Sequence, residues 1–187
     1  MISKITNNVW KLQLDVEATN IYLLEKEKIV IDTGYRSRRQ IISQFLSKLV
    51  PLEEVKMVLF THLHYDHIGN FDLFPNAKLY ASAQEIEDFK NDPEGAVQSK
   101  EMAGKFKAEL IPLPNKIGPL EVVETPGHTR GSVSFYYPEE KVLFTGDTIF
   151  PTGIGRTDFP NSAPEEMHKS IIKLAEIRQK FICAGHD

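Results

Sequence analysis

Short apolar runs separated by polar turns dominate the first third of the chain. Runs of this length, with alternating or continuous apolar side chains, predict β-strands at residues 9–16, 20–24 and 28–31. A polar turn at residues 25–27 joins the second and third of these strands. Apolar side chains then recur at helical spacing from residue 41 to residue 49, and Pro51 ends that pattern. The opening of the chain is therefore predicted to be three strands followed by a helix.

The rest of the chain mixes strands and helices. Further strands are predicted at residues 55–60, 78–81, 120–123, 132–137, 141–144 and 181–184. A polar helix is predicted around residues 84–90, and a last helix is predicted to follow a capping box of Ser162 and Glu165, with Pro164 in its first turn. Residues 91–115 hold several prolines and glycines, and we predict a loop there that carries one short helix. Strands followed by mixed strands and helices, twice over, predict an α/β fold.

Composition narrows the class of protein. With 187 residues, of which 41% are hydrophobic and 26% charged, the chain is long enough for one domain and is not of a disordered type. No apolar run approaches the ~18 residues of a membrane span, and the N-terminus lacks the apolar segment of a secretory signal. The single cysteine, Cys183, fits a reducing compartment, and a net charge of −4 argues against a nucleic-acid-binding surface. We therefore expect a cytoplasmic protein without a membrane or nucleic-acid partner.

The candidate chemistry is concentrated in one short segment. His62, His64, Asp66 and His67 follow directly after the predicted strand at residues 55–60. They include three of the six histidines of the chain. Neutral imidazole and carboxylate groups are good ligands for zinc, iron and manganese. This cluster therefore predicts a metal site rather than a packing role.

Three further residues extend the set of candidate ligands. His128, Asp147 and His186 each follow a glycine, and each lies in a predicted turn or at a predicted strand end. With the first cluster they give five histidines and two aspartates, whereas a catalytic metal takes about three protein ligands. Three ligands for one ion, three for another and one shared ligand fit a two-metal site.

These motifs, in this order, resemble those of the metallo-β-lactamase superfamily. The resemblance implies an αββα four-layer sandwich, in which two mixed β-sheets are flanked by helices and the metals lie at one edge. It implies that one metal is bound by His62, His64 and His128, a second by Asp66, His67 and His186, and that Asp147 bridges them. Asp32, in the turn after residues 28–31, matches an aspartate that supports the ligands from outside the coordination sphere. A plain turn aspartate is the alternative.

Residues 146–150 and 153–159 resemble the glyoxalase II group of this superfamily, the hydroxyacylglutathione hydrolases. This resemblance implies a dinuclear metal-dependent hydrolase that cleaves a thioester or ester with a metal-bridging hydroxide, oriented by Asp66. Two divalent ions are implied, zinc first, with iron or manganese as alternatives. The resemblance also places Arg156 near the substrate, and pairing of Arg156 with its neighbour Asp158 is the alternative. Tyr65 is a further candidate for a substrate contact, unless it packs beneath the loop.

Two other functions stay open. Residues 155–159 are also similar to those of persulfide dioxygenases, which keep the scaffold and use one iron. A non-catalytic metal-binding module is the third hypothesis. Glyoxalase II carries a helical domain after its last metal-binding histidine, whereas the sequence given ends at Asp187, so we expect a single domain over residues 1–187 without that helical domain. The expected partner is a small-molecule thioester or ester, and a homo-oligomer is an open alternative to a monomer.

Overall fold

Two β-sheets form the centre of the protein in a computed structural model that describes residues 1–14 and 19–187. The first sheet has seven strands, which are hydrogen-bonded to one another in chain order. They are β1 (Ile2–Lys4), β2 (Val9–Leu12), β3 (Ile21–Leu24), β4 (Ile29–Ile31), β5 (Met57–Leu59), β6 (Lys78–Ala81) and β7 (Leu110–Pro112). The neighbours from β1 to β4 are antiparallel, and those from β4 to β7 are parallel. The first sheet is therefore mixed.

The second sheet is built from the remaining part of the chain. The strands in this part of the chain are β8 (Lys116–Ile117), β9 (Leu120–Glu124), β10 (Val133–Tyr137), β11 (Val142–Gly146), β12 (Ile149–Phe150), β13 (Gly153–Ile154) and β14 (Phe181–Ala184). Five of these strands form the sheet in the order β14-β11-β10-β9-β8, and β12 and β13 form a separate hairpin. Strand β14 joins β11 in parallel, whereas the other neighbours are antiparallel. Each sheet thus uses one continuous part of the chain.

Six α-helices flank the sheets in the described part of the chain, which also contains three short 3₁₀ helices. The α-helices are α1 (Arg39–Leu46), α2 (Tyr65–Ile68), α3 (Ala83–Asn91), α4 (Pro93–Val97), α5 (Lys100–Lys105) and α6 (Pro164–Ala175). Helix α6 is tied to the end of β9, because the Ser170 hydroxyl donates to the Pro126 carbonyl at 2.7 Å and Lys173 Nζ donates to the Glu124 carbonyl at 2.6 Å. The expected sandwich of two mixed sheets flanked by helices is confirmed.

The strands in the middle of the first sheet explain why the layers stack. In β3, Ile21 and Leu23 join the core under the helices, whereas Tyr22 and Leu24 join the core between the two sheets. All four side chains are buried. Because both faces of this strand are covered, its sequence is a continuous apolar run rather than an alternating one.

Most predicted strands occur close to their predicted positions. The predictions at residues 78–81 and 181–184 match β6 and β14 residue for residue. The strand predicted at residues 9–16 is β2 as far as Leu12, and its residues 15 and 16 lie outside the described part of the chain. Strand β1 was not predicted; it pairs with β2.

Residues 91–115 are more regular than predicted. They contain α4, α5 and β7 instead of a loop with one short helix. The Asp92 carboxylate accepts a hydrogen bond from the Gly95 N–H at the start of α4, and the Ser99 hydroxyl accepts one from the Met102 N–H at the start of α5. Asp92 and Ser99 therefore begin helices, because their side chains satisfy free N–H groups of a first turn, and Pro93 fits the first position of α4.

The predicted capping box of the last helix is wrong. Pro164 lies in the first turn of α6 as predicted, but the N-cap is Ala163, which makes no side-chain cap. The Ser162 hydroxyl instead accepts from the Phe159 N–H at 3.2 Å and donates to the His128 carbonyl at 2.7 Å. A tertiary contact with the segment around His128 thus takes the place of the local cap.

Candidate metal centre

The seven candidate ligands lie at one edge of the sandwich, and both sheets supply them. The segment after β5 and the short helix α2 carry four of them: His62, His64, Asp66 and His67. The segments after β9, β11 and β14 carry the other three: His128, Asp147 and His186. The two sheets are linked directly at this edge, since the Val133 N–H donates to the Thr61 carbonyl at 2.9 Å.

The ligand atoms form two groups that share one carboxylate. The first ligand group is His62, His64 and His128, and its ligand atoms lie within 4.8 Å of one another. The second ligand group is Asp66, His67 and His186, whose ligand atoms also lie within 4.8 Å of one another. Asp147 lies between the groups: its Oδ1 is 3.3 Å from His67 Nε2, and its Oδ2 is 3.5 Å from the Nε2 atoms of both His128 and His186. A carboxylate in this position can bridge two ions.

Hydrogen bonds from outside the centre orient three of the imidazole rings. The partners are the Arg156 carbonyl for His128 Nδ1 at 2.8 Å, the Asp32 carboxylate for His67 Nδ1 at 2.9 Å and the Thr61 hydroxyl for His62 Nδ1 at 3.1 Å. A neutral imidazole that donates from one nitrogen presents a lone pair on the other. These three rings therefore direct Nε2 into the centre.

Asp32 holds the end of β5 and a ring of the second ligand group at once. It accepts hydrogen bonds from the Thr61 N–H, the Thr61 hydroxyl and His67 Nδ1, all at 2.9 Å. Its backbone is left-handed, with φ of 56°, a conformation that aspartate and asparagine adopt more readily than most residues. The predicted supporting role of Asp32 agrees with these contacts, and a plain turn aspartate would not make them.

Four buried atoms of the centre lack a hydrogen-bond partner within the described residues. They are His62 Nε2, His64 Nε2, His67 Nε2 and Asp147 Oδ1. Two of them, His67 Nε2 and Asp147 Oδ1, face each other at 3.3 Å, and each buried polar atom left unpaired costs about 1–3 kcal/mol. Imidazole nitrogens and carboxylate oxygens both donate electron pairs to divalent cations. The residues present therefore fit a metal centre.

The pKa values in the first ligand group favour neutral imidazoles. Burial, together with the neighbouring imidazoles, lowers the pKa of His62 well below its usual value. Burial and the proximity of His128 lower the pKa of His64 to about 3, and burial also lowers the pKa of His128. Only a neutral imidazole binds a metal ion. At neutral pH the first ligand group is thus in its binding form.

Charge is concentrated in the second ligand group. Although burial acts in the opposite direction, the surrounding carboxylates raise the pKa of His67, and Asp66 raises the pKa of His186. Burial alone would raise the pKa values of Asp66 and Asp147, but the neighbouring His67 lowers both. Protons and divalent cations therefore compete for the second ligand group.

A cleft of about 510 Å³ opens over the ligands, and its walls are largely aromatic. Tyr35 and Tyr65 meet edge to face on one wall, with ring centroids 5.7 Å apart. Phe159 packs edge-on against His64 with centroids 5.0 Å apart, and Phe150 lies 5.9 Å from the ring of His186. A substrate in this cleft would lie directly over both ligand groups.

Both residues predicted to contact the substrate line this cleft. Tyr65 is 39% exposed and faces Tyr35, so it does not pack beneath the loop. The Arg156 guanidinium donates two hydrogen bonds to the Asp158 carboxylate, at 2.9 and 2.8 Å, and lies 4.7 Å from the centre of the Phe159 ring. The structure therefore contains the Arg156–Asp158 pair that was the alternative to a substrate contact.

Sequence reasoning missed other residues of the cleft wall: Tyr35, Gln98, Phe150 and Phe159. Gln98 lies in residues 91–115, where the helices were not predicted. The two phenylalanines lie within segments 146–150 and 153–159, whose resemblance to a known group was the available signal. Tyr35 follows the turn after β4, and nothing in its immediate sequence marks it as a cleft residue.

Comparison with known proteins gives the family of the chain. Residues 14–186 match the family model described as the metallo-beta-lactamase superfamily. The chain belongs to this superfamily. Membership makes it a metal-binding protein of the metallo-hydrolase class, as predicted. No helix within residues 1–14 and 19–187 is both long and apolar enough to cross a lipid bilayer.

Individual members of the superfamily show how far the similarity extends. The probable metallo-hydrolase MJ0888 of Methanocaldococcus jannaschii is 33% identical, over 86% of this chain and 81% of its own length. The hydroxyacylglutathione hydrolase GloC of Haemophilus influenzae is 32% identical, over 87% of this chain and 81% of its own length. The crystal structure of TTHA1623 in a di-iron-bound form is 26% identical and has a TM-score of 0.77, covering 95% of this chain and 91% of that one. The predicted resemblance is confirmed.

Proposed function

We propose that this member of the superfamily is a dinuclear metal-dependent hydrolase that cleaves thioesters or esters. The observation that carries the proposal is the convergence of two ligand groups on one shared carboxylate, Asp147. A single catalytic ion takes about three protein ligands, so seven converging side chains support two ions. Zinc is the first candidate, with iron and manganese as alternatives, and the di-iron form of TTHA1623 supports iron as one of these.

The proposed assignment follows the two groups. The first ligand group would hold one ion, the second ligand group would hold the other, and Asp147 would be the ligand that they share. Asp32 fixes the ring of His67 from outside the centre. Outer partners of this kind orient a ligand and increase its basicity.

Divalent cations in such a site supply a water of lowered pKa and a Lewis acid for the carbonyl oxygen of the substrate. The side chains of the protein contribute position. Asp66 Oδ2 accepts a hydrogen bond from the Thr19 hydroxyl at 2.9 Å and lies 3.2 Å from His186 Nε2, so the carboxylate is held in one orientation. We assign Asp66 the role of orienting the attacking water. A thiolate is a good leaving group, so cleavage of a thioester requires little acid assistance.

The cleft supports a substrate with an apolar part next to its carbonyl group. The rings of Tyr35, Tyr65, Phe150 and Phe159 line the cleft and would pack against that apolar part. The activity in the name of GloC supports a thioester. Arg156 is the proposed contact for an anionic group of the substrate. Asp158 accepts from Nε and Nη2 of that guanidinium, so an anionic group would bind the remaining N–H donors, chiefly those of Nη1.

The proposal is tested by metal analysis together with hydrolysis of a panel of thioesters and lactones. Protein purified without chelators or an affinity tag should contain about two metal ions per chain. Asp147→Ala should bind at most one ion and lose hydrolysis by more than about 100-fold, because it removes the shared ligand. His168→Ala is the control, since His168 is exposed on α6 and is the one histidine outside the two ligand groups.

Three outcomes would contradict the proposal. Full activity of Asp147→Ala would show that the shared carboxylate is not required. One iron per chain, with oxygen consumption on a persulfide, would favour the dioxygenase. Two ions without turnover on any member of the panel would favour a metal-binding module.

The cellular setting is part of the proposal. Cys183, the single cysteine, is buried as a free thiol, which supports a reducing compartment such as the cytoplasm. A small-molecule partner is supported by the size of the cleft. Residues 36–39 include three arginines, which is a short basic run. Two of them, Arg36 and Arg39, pair with Asp72, which weakens this run as a nucleic-acid contact. A homo-oligomer stays an alternative to a monomer.

A further inference from the structure

Glu85 is a fully buried acidic residue that belongs to neither ligand group and does not line the cleft. It lies in the first turn of α3 and has 0% exposure. Its Oε2 accepts a hydrogen bond from the Leu63 N–H at 2.8 Å, and its Oε1 accepts one from the Thr129 hydroxyl at 2.6 Å. The two oxygens of one carboxylate therefore hold two separate segments of the chain.

Both segments carry histidines of the first ligand group. Leu63 lies between His62 and His64, and Thr129 follows His128. All three imidazoles of this group are thus within one residue of a group that donates to Glu85. The distance between the two segments affects the distance between the rings, and Glu85 hydrogen-bonds to both segments from outside the ligand group.

The surroundings of Glu85 favour a link between the two segments over a local role of its carboxylate as a cap of its own helix. Ser82 and Glu85 have the spacing of a capping box, and the Ser82 hydroxyl accepts from the Glu85 N–H at 3.1 Å. In a complete capping box the glutamate turns back to the N–H of the cap residue. Here the carboxylate turns to Leu63 and Thr129 instead. Burial is unfavourable for the charged form of the Glu85 carboxylate and raises its pKa to about 7.

The segment around Thr129 is shaped to receive this helix. The Ser82 hydroxyl donates to the Gly131 carbonyl at 2.7 Å. A Cβ atom on Gly131 would lie 2.6 Å from the Glu85 nitrogen and 2.7 Å from Glu85 Cγ. Only a glycine therefore allows the start of α3 to approach the segment so closely.

We propose that Glu85 is a positioning residue for the first ligand group. It holds the segments around Leu63 and Thr129 at a fixed separation, so that the three imidazoles are already arranged for a cation. The inference rests on the proposed function in one respect, because it takes the first ligand group to be a metal site. It adds a residue that acts through the backbone and hydroxyl groups beside the ligands.

The test measures zinc affinity by competition with a chelator in two background variants. His186→Ala disables the second ligand group, so zinc binding reports on the first. His128→Ala disables the first ligand group, so zinc binding reports on the second. Glu85→Gln keeps the size of the side chain but presents an NH₂ group to a donor. We expect it to weaken zinc about 10–100-fold in the first background and to leave zinc affinity unchanged in the second, as for other outer partners of metal ligands.

Asp88→Asn is the matched control. Asp88 lies one turn further along α3, is also buried, and pairs with Arg130 of the same segment at 3.0 Å. It makes no hydrogen bond to Leu63 or Thr129 among those of the described residues. We expect this variant to retain its zinc affinity, and the unfolding midpoints of both metal-free variants show whether their losses of stability are comparable.

Two outcomes distinguish failure of this inference from failure of the metal assignment. Equal zinc affinity with and without the Glu85→Gln substitution in the His186→Ala background, or an equal loss in Asp88→Asn, would overturn the inference alone. Absence of zinc binding in the His186→Ala background would overturn the metal assignment and the inference together. A Glu85→Gln, Thr129→Val double variant adds a further check, because its loss of affinity should be smaller than the product of the two single losses.

Discussion

Asp32 lies outside both ligand groups, yet it fixes the position of one ligand. Its carboxylate accepts three hydrogen bonds, two from Thr61 and one from the ring of His67. Thr61 in turn contacts His62 Nδ1 at 3.1 Å. A single side chain is therefore connected to a histidine of each group. Loss of its charge should change metal binding although Asp32 touches no ion.

We predict that Asp32→Asn weakens zinc binding by the second ligand group about 10–100-fold. The amide NH₂ would face a donor, which should also lower the free energy of unfolding by about 1–3 kcal/mol. Asparagine tolerates the left-handed backbone at this position, so the backbone itself should not be strained. Chelator competition and chemical unfolding measure the two effects. Asp72→Asn, on the surface, is the control, and unaltered zinc affinity in Asp32→Asn would contradict the prediction.

The cluster at residues 62–67 could be predicted because its chemistry is local in the sequence. Five of the seven ligand positions are histidines, and only six histidines occur in the chain. Glu85 could not be found in this way, since its partners Leu63 and Thr129 lie 22 and 44 residues away. Nothing near Glu85 in the sequence distinguishes it from an ordinary first-turn acid. Its role depends on the packing of α3 against the segment around Thr129.

Among the elements, β11 and β14 bring the second sheet to the metal centre. They run in parallel, and the Gly185 N–H donates to the Gly146 carbonyl at 2.7 Å just beyond them. Further bonds hold the end of β14, because the Tyr22 hydroxyl donates to the Ala184 carbonyl at 2.7 Å. His186 is therefore placed by a fixed backbone. The contact leaves no room for a side chain at Gly185.

We predict that Gly185→Ala disrupts the centre. A Cβ atom there would lie 2.1 Å from Asp147 Oδ1 and 3.0 Å from His67 Cε1, so the shared carboxylate would have to move. Overpacking of about 1–3 kcal/mol corresponds to a loss of zinc affinity of roughly 5–150-fold. Elemental analysis and chelator competition measure it.

Gly153→Ala, in β13, is the matched control for Gly185→Ala, since nothing lies within 4 Å of the position that its Cβ would occupy. It should bind zinc as the unaltered protein does. Equal zinc affinity of Gly185→Ala and Gly153→Ala would show that the close approach at Gly185 is not needed.

The sequence could predict those elements that have a clear local pattern of apolar residues. Strands β6 and β14 were found because each is a short apolar run with clear ends. Helices α4 and α5 have only five and six residues, fewer than two helical turns, so no apolar repeat is visible in their sequences. They depend on caps and on burial of Val97 and Met102. Such helices are stabilised by tertiary contacts that a local pattern does not contain.

For the whole molecule, the candidate ligands come from two separate sheets. Four come from segments joined to the first sheet, and three come from segments of the second. Ions bound by both sets would hold the sheets together. Metal binding should therefore contribute to the stability of the entire fold.

We predict that removal of metal lowers the melting temperature by about 5–10 °C for each site emptied. A free metal concentration of about 100 times Kd adds about 2.7 kcal/mol, and each kcal/mol is about 2–4 °C for a domain of this size. Calorimetry before and after dialysis against a chelator measures the change. Asp147→Ala should show a smaller shift on the same treatment. An unaltered melting temperature, with metal loss verified by elemental analysis, would contradict the prediction.

The chain passes from the first sheet to the second only once in its described part, between β7 and β8. A break in the backbone at residues 113–115 would therefore divide the protein into two fragments, each with a whole sheet. Neither fragment would contain all the residues of either ligand group. The apolar core between the sheets would still hold the fragments together, and free zinc would strengthen that association, so the affinity between the fragments would rise with zinc concentration and fall with a chelator.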